Sequence, residues 1–137
     1  MSNYDLVVSD LNTICFKRLP MNSSYNYRGF IVEANRAVVQ LAIMSNNYVF
    51  GGVITLAYNS HNSMTANVSA NFANMSTYVK FYKLPNEYVA IIAYTETKWD
   101  DISYIGGTVK STDIEIYQSN TAYPSGATEF TPTAFPT

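Results

Sequence analysis

The chain holds few residues suited to acid–base or nucleophilic chemistry. His61 is its single histidine and Cys15 its single cysteine. A nucleophilic site needs a base beside a Ser, Cys or Thr, and His61 sits in the polar loop 59–63 with no signature around it. It reads as an ordinary exposed loop histidine. Cys15 lies in a candidate strand, where a cysteine is more often a small apolar residue than a reactive thiol. Standing alone, it allows neither an intrachain disulfide nor a cysteine metal cluster. The ten carboxylates run from Asp5 to Glu129, and none is singled out as half of a glycosidase pair. Asp100-Asp101 is the one adjacent acidic pair, with Glu96 just before it and Ser103 just after. Such a loop offers oxygens that Ca²⁺ would accept, but the EF-hand pattern is missing. Gly51-Gly52 and Gly106-Gly107 lack the further glycines and the Lys of a phosphate-cradling loop. We therefore assign no catalytic residue, no metal and no cofactor.

Binding chemistry is better represented. Tyr94, Trp99, Asp100, Asp101 and Tyr104 cluster around the polar stretch Thr-Lys-Trp-Asp-Asp. An exposed Trp or Tyr presents a large apolar ring with a polar tip. It can stack on the apolar face of a sugar while neighbouring Asp side chains bond the hydroxyls. The alternative, which carries more weight for Trp99, is that the indole folds back and caps one end of the fold. Asn59, His61 and Asn62 form a second candidate contact loop.

Composition points the same way. Charged residues are 13% of the 137 residues, against roughly a quarter in typical soluble domains. Polarity comes instead from 14 Asn, 13 Ser and 13 Thr, and 12 of the aromatics are Tyr. Rigid aromatics among small neutral hydrogen-bonding groups are what contact surfaces use. The net charge of −2 and the scattered Lys and Arg, with no run longer than Lys17-Arg18, exclude a phosphate-binding patch and hence nucleic acid as partner. No stretch approaches the roughly 20 apolar residues of a membrane-spanning helix, so membrane insertion is not expected. The N-terminal residues show neither a basic region nor an apolar signal core.

The elements that must position these residues are strands. β-Branched and aromatic runs bounded by Gly, Pro, Asn or Ser occur at 13–18, 29–34, 37–45, 48–58, 64–72, 77–84, 88–95, 102–109 and 113–117. Residues 37–45 have a short-helix alternative, since Ala, Leu, Met and Gln favour helices, but Val38-Val39 and Ile43 favour a strand. Residues 64–72 alternate with period two, the mark of a half-buried strand. Residues 77–84 alternate too, with Tyr78, Lys80, Tyr82 and Leu84 on one side. Across the turn Pro85-Asn86 they pair with 88–95 as a hairpin. Gly51-Gly52 suggests a bulge or bend and Gly106-Gly107 a break. No helix signature exceeds a turn or two. The expected fold is an all-β antiparallel sandwich or jelly roll of about nine strands over residues 1–118. Residues 119–137, with Pro124, Gly126, Pro132 and Pro136, read as an extended or loosely ordered Pro/Thr-rich tail and not another packed element.

The succession Tyr27-Arg-Gly-Phe30, Val38-Val-Gln-Leu-Ala-Ile-Met44 and Gly51-Gly-Val-Ile-Thr-Leu-Ala57 resembles the C-terminal receptor-binding domains of bacteriophage tail fibres. So does Val79-Lys-Phe-Tyr-Lys83 followed by Tyr88-Val-Ala-Ile-Ile-Ala-Tyr94. The resemblance spans roughly residues 27–118. It implies a homotrimeric β-sandwich of the virion, made in the host cytoplasm, which binds a glycan or protein of the bacterial surface, contacts other virion proteins and catalyses nothing. Two other readings stay open. One is a structural virion subunit, such as a capsid decoration protein, head fibre or filament subunit, docking through extended termini. The other is a free carbohydrate-binding module. A small glycosidase is a third, weaker one.

Overall fold

The computed structural model describes residues 17–19, 24–33, 35–45, 50–60, 63–69, 75–95 and 101–133. These form an all-β sandwich of two five-stranded antiparallel sheets. The first sheet holds β1 (Lys17–Arg18), β3 (Ala37–Ser45), β4 (Phe50–Ser60), β5 (Ser63–Ser69) and β8 (Asp101–Gly107), in the order β1-β8-β3-β4-β5. The second holds β2 (Tyr27–Val32), β6 (Val79–Lys83), β7 (Val89–Tyr94), β9 (Ile114–Ser119) and β10 (Thr128–Phe130), in the order β10-β6-β7-β2-β9. One helical turn, Met75–Tyr78, leads into β6. Residues 77 and 78, expected to open that strand, therefore belong to the turn before it.

The near-continuous apolar run of β3 becomes a period-two strand once the pleat is imposed. Val39, Leu41 and Ile43 point into the core, while Val38, Gln40 and Met44 face out. On β4, Ile54, Leu56 and Tyr58 face the same core. The second sheet answers with Phe30, Val32, Val79, Phe81, Val89 and Ile91, and the two inner faces share one hydrophobic cluster. Removing each such side chain from water contributes about 1.5–3 kcal/mol, so this shared interior is what holds the sheets together.

Glycines act differently from expectation. The β3–β4 register runs unbroken through Gly51 and Gly52, so there is no bulge there. Irregularities lie instead between Gln40 and Leu41, opposite β8, where Ile105 is the extra residue, and between Tyr58 and Ser60 opposite β5. Gly29 in β2 is demanded by close approach, because a Cβ there would lie 1.9 Å from the Ile91 carbonyl oxygen of β7. The sheets are also tied at one end. Lys17 Nζ, from β1, donates to the carbonyl oxygens of Ser111 at 3.1 Å and Ile114 at 2.8 Å.

The C-terminal segment corrects the expectation that no packed element follows from residue 119. β9 continues to Ser119 on one edge of the second sheet. Residues 120–127 then cross the outer face of that sheet as a strap. β10 rejoins it at the opposite edge, pairing Glu129 with Tyr82 and Phe130 with Phe81. Gly126, at φ +83°, makes the turn against the Pro85 ring, a conformation open to glycine without strain. Under this crossing Tyr82, Leu84, Ala90 and Ile92 form a second buried cluster. That explains why β7 is apolar at nearly every position: it is covered on both faces.

Candidate functional site

The outer face of the second sheet carries an unusual concentration of tyrosine. Tyr27 projects from β2, Tyr94 from β7 and Tyr82 from β6, because outward positions recur every second residue. Tyr78 comes from the helical turn and Tyr123 from the strap. These five rings line one groove of about 400 Å³, with Lys80 and Glu129 among its other walls. Ile92, the outward residue between Tyr94 and Ala90 on β7, lies at its base.

The rings are arranged in two pairs. Tyr27 and Tyr94 face each other across β2 and β7 in one rung, with centroids 5.1 Å apart and planes tilted by 47°. Tyr82 and Tyr123 are 5.1 Å apart, tilted by 37°. Both arrangements fall within the favourable range for aromatic contact. Tyr82 is only 4% exposed and backs Tyr123, which is 48% exposed. Burial, helped by the charge of Glu129 and by neighbouring tyrosines, pushes the Tyr82 phenol up to about 12. The strap is pinned where it leaves β9: the Tyr117 hydroxyl donates to the Thr121 carbonyl at 2.6 Å, and Thr121 N–H donates to Ser119 Oγ at 2.9 Å.

Of the residues singled out from sequence, Tyr94 belongs to this groove. Tyr104 does not reach a surface. It is 0% exposed, inside the shared core, and its hydroxyl donates to the Val109 carbonyl at 2.5 Å. This corrects its assignment as a contact residue: in β8 it shares the inward parity of Ile102. Asp101 opens β8, and its side chain, like Trp99, Asp100, His61 and Asn62, lies outside the described residues. Asn59 is exposed beside Arg36, Val38 and Thr108, in a second, more open depression of about 600 Å³ on the first sheet. Tyr94 and Asn59 thus belong to different sheets and do not form one site.

The groove tyrosines missed from sequence are Tyr27, Tyr78, Tyr82 and Tyr123, with Lys80, Ile92 and Glu129 beside them. Tyr78 and Tyr82 carried a local signal, since they share one side of the alternating run 77–84. Tyr123 carried none, because its neighbours in space are made by the strap's crossing.

Elsewhere, Glu33 and Glu115 stand together near Asp113. A hydrogen bond shared with Glu115 holds the Glu33 carboxyl above its usual range, assisted by desolvation and by the charges of Glu115 and Asp113. Among the described residues, no group of three or more His, Cys, Asp or Glu side chains is placed to hold a metal ion, and no helix is long and apolar enough to cross a membrane.

No family model matches the chain, and neither a curated protein nor a solved structure matches it. The functional reading therefore rests on the groove and on the residues around it.

Proposed function

We propose that this chain is the receptor-binding module of a bacteriophage tail fibre, acting without catalysis and holding a bacterial surface glycan in the tyrosine groove. The observation that carries the reading is the convergence of five tyrosines on one concave surface. Concave, mostly apolar pockets with a few polar groups are the common form of small-ligand sites. Tyrosine supplies stacking area and a hydroxyl at little conformational cost. The low charge, the abundance of Asn, Ser and Thr, and the pattern of residues 27–118 support the same reading. A homotrimer within a virion is part of the proposal. Residues 120–127 pack across the chain's own second sheet.

The test is adsorption of the labelled whole protein to a panel of bacterial cells, for the wild type and for Tyr94→Ala and Tyr123→Ala. Loss of one stacking ring costs about 1–2 kcal/mol, or roughly 5- to 30-fold in affinity. Binding reduced to that extent in both variants, with unchanged melting temperature, supports the reading. Equal binding by all three proteins, or none by the wild type, overturns it. Light scattering reads the assembly: three times the 15.3 kDa chain mass is expected, whereas a monomer points to a free carbohydrate-binding module.

A further inference from the structure

Resting on the groove as the binding site, we infer that its ligand is an uncharged disaccharide unit, one pyranose stacked on each tyrosine pair.

Three observations lead there. The first is the doubling of the aromatic contact. Tyr27–Tyr94 and Tyr82–Tyr123 are separate pairs of similar geometry. They belong to different rungs of the sheet, since Tyr27 stands opposite Tyr94 and Tyr82 stands opposite Ala90. One pair alone would serve a single ring. Two pairs with an aliphatic base between them suit two rings joined by a linkage.

The second is size. A hexopyranose occupies roughly 180 Å³ at the packing density of protein interiors. The groove, at about 400 Å³, therefore has room for two such rings.

The third is charge. The groove has one basic and one acidic side chain in its walls, Lys80 and Glu129, so formal charges cancel. An anionic ligand such as a sialylated or phosphorylated glycan calls for clustered basic donors, and the walls supply one lysine opposed by a carboxylate. The chain's net charge of −2 adds a further bias against polyanions. The Tyr82 phenol, pushed up to about 12, brings no charge of its own at neutral pH.

The strap takes on a definite role. It contributes Ala122 and Tyr123 to the groove, so the second sugar position exists only because the chain crosses its own sheet. Tyr123 is the specificity-determining residue for ligand length.

The experiment titrates the whole protein by calorimetry with methyl glycosides, neutral disaccharides (lactose, maltose, cellobiose, N,N′-diacetylchitobiose), the trisaccharides extending them, sialyllactose and a proline-rich peptide. At least one neutral disaccharide should bind about tenfold or more tighter than its methyl monosaccharide. The trisaccharide should gain no more than about twofold. Raising NaCl from about 50 to about 500 mM should change the affinity by less than about twofold. Tyr123→Ala should erase the disaccharide increment, while Tyr123→Phe should keep most of it. Binding confined to sialyllactose with steep salt dependence, preference for the peptide, or affinity that keeps rising beyond two rings would each overturn the inference. The adsorption assay separates its failure from that of the underlying reading. If cells are bound through Tyr94 but no neutral saccharide is, the ligand class is wrong and the groove stands. If adsorption ignores both Tyr94 and Tyr123, both fall.

Discussion

Replacing Tyr104 with Phe removes one oxygen atom from the middle of the sandwich. The ring stays, so packing around it is preserved. What goes is the hydrogen bond to the Val109 carbonyl, 2.5 Å long and buried. A typical internal hydrogen bond is worth about 1 kcal/mol net, and leaving its partner buried without a donor costs about 1–3 kcal/mol. We therefore expect a loss of about 1–3 kcal/mol. With an unfolding entropy of roughly 2.1 cal/mol/K per residue, a 137-residue chain converts each kcal/mol into about 3–4 °C. The melting temperature should fall by about 3–10 °C in calorimetry, with a matching shift of the urea midpoint and no change of slope. Tyr123→Phe, at a half-exposed ring, is the control and should stay within about 0.5 kcal/mol of wild type. A Tyr104→Phe protein that melts with the wild type would refute the reasoning. It would mean the hydroxyl is wet, and Tyr104 would return to the contact surface where its neighbours in sequence first placed it.

Gly29→Ala places a Cβ 1.9 Å from the Ile91 carbonyl oxygen; it should cost on the order of 3–5 kcal/mol, seen as a large drop in soluble yield and melting temperature. Tyr58 and Tyr82 have phenols pushed up to about 12 from an ordinary 10.0, Tyr58 by burial and Tyr82 chiefly so. Folded protein holds these protons more tightly, so their contribution to stability is full below pH 10 and disappears as pH rises through about 12. Absorbance of phenolate against pH should show late-titrating tyrosines that become normal on unfolding, with one fewer in Tyr82→Phe. Glu33 is also raised, by its hydrogen bond to Glu115. That arrangement favours the fold below pH 4.5 and ceases to do so as pH rises above it. Glu115→Gln should consequently raise the melting temperature at pH 7 relative to wild type, and not at pH 3.5; an equal gain at both values would rule out the like-charge explanation.

The strands were legible where one local rule decided them. Residues 37–45 form β3 with the bounds their branched residues implied. The hairpin across Pro85-Asn86 forms as its alternation and turn chemistry required, with Asn86 at φ +63°. The stretch 21–28 reads as a loop because it is rich in Asn, Ser and Tyr, yet Tyr27 and Arg28 open β2 and Arg28 is fully buried there. Gly51-Gly52 suggests a bulge or bend, whereas the register shifts fall at Ile105 and between Tyr58 and Ser60, because register depends on the partner strand and not on one strand alone. The contact site was drawn from residues close in sequence, Tyr94 to Tyr104, but β7 and β8 belong to opposite sheets. Parity separates them: Tyr94 points out and Tyr104 points in. Tyr123 lay beyond reach, since a segment of Thr, Ser, Pro and Gly shows no period by which its docking could be read.

The strap also imposes an order in time. It is synthesised after every strand it covers, and β10 closes the far edge only once residues 120–127 have crossed. Until then the outer sides of Leu84, Ala90 and Ile92 face water, although the interior between the sheets lacks only Phe130 among its described apolar contributors and can largely close. Maturation of the second sheet is therefore vectorial, with a late sealing step. A chain stalled or clipped before that step is a formed sandwich with one adhesive side, the kind of species that chaperones hold and that aggregates when they do not. Yield on expression should accordingly be more sensitive to damage in this polar, Gly- and Pro-containing stretch than its composition suggests.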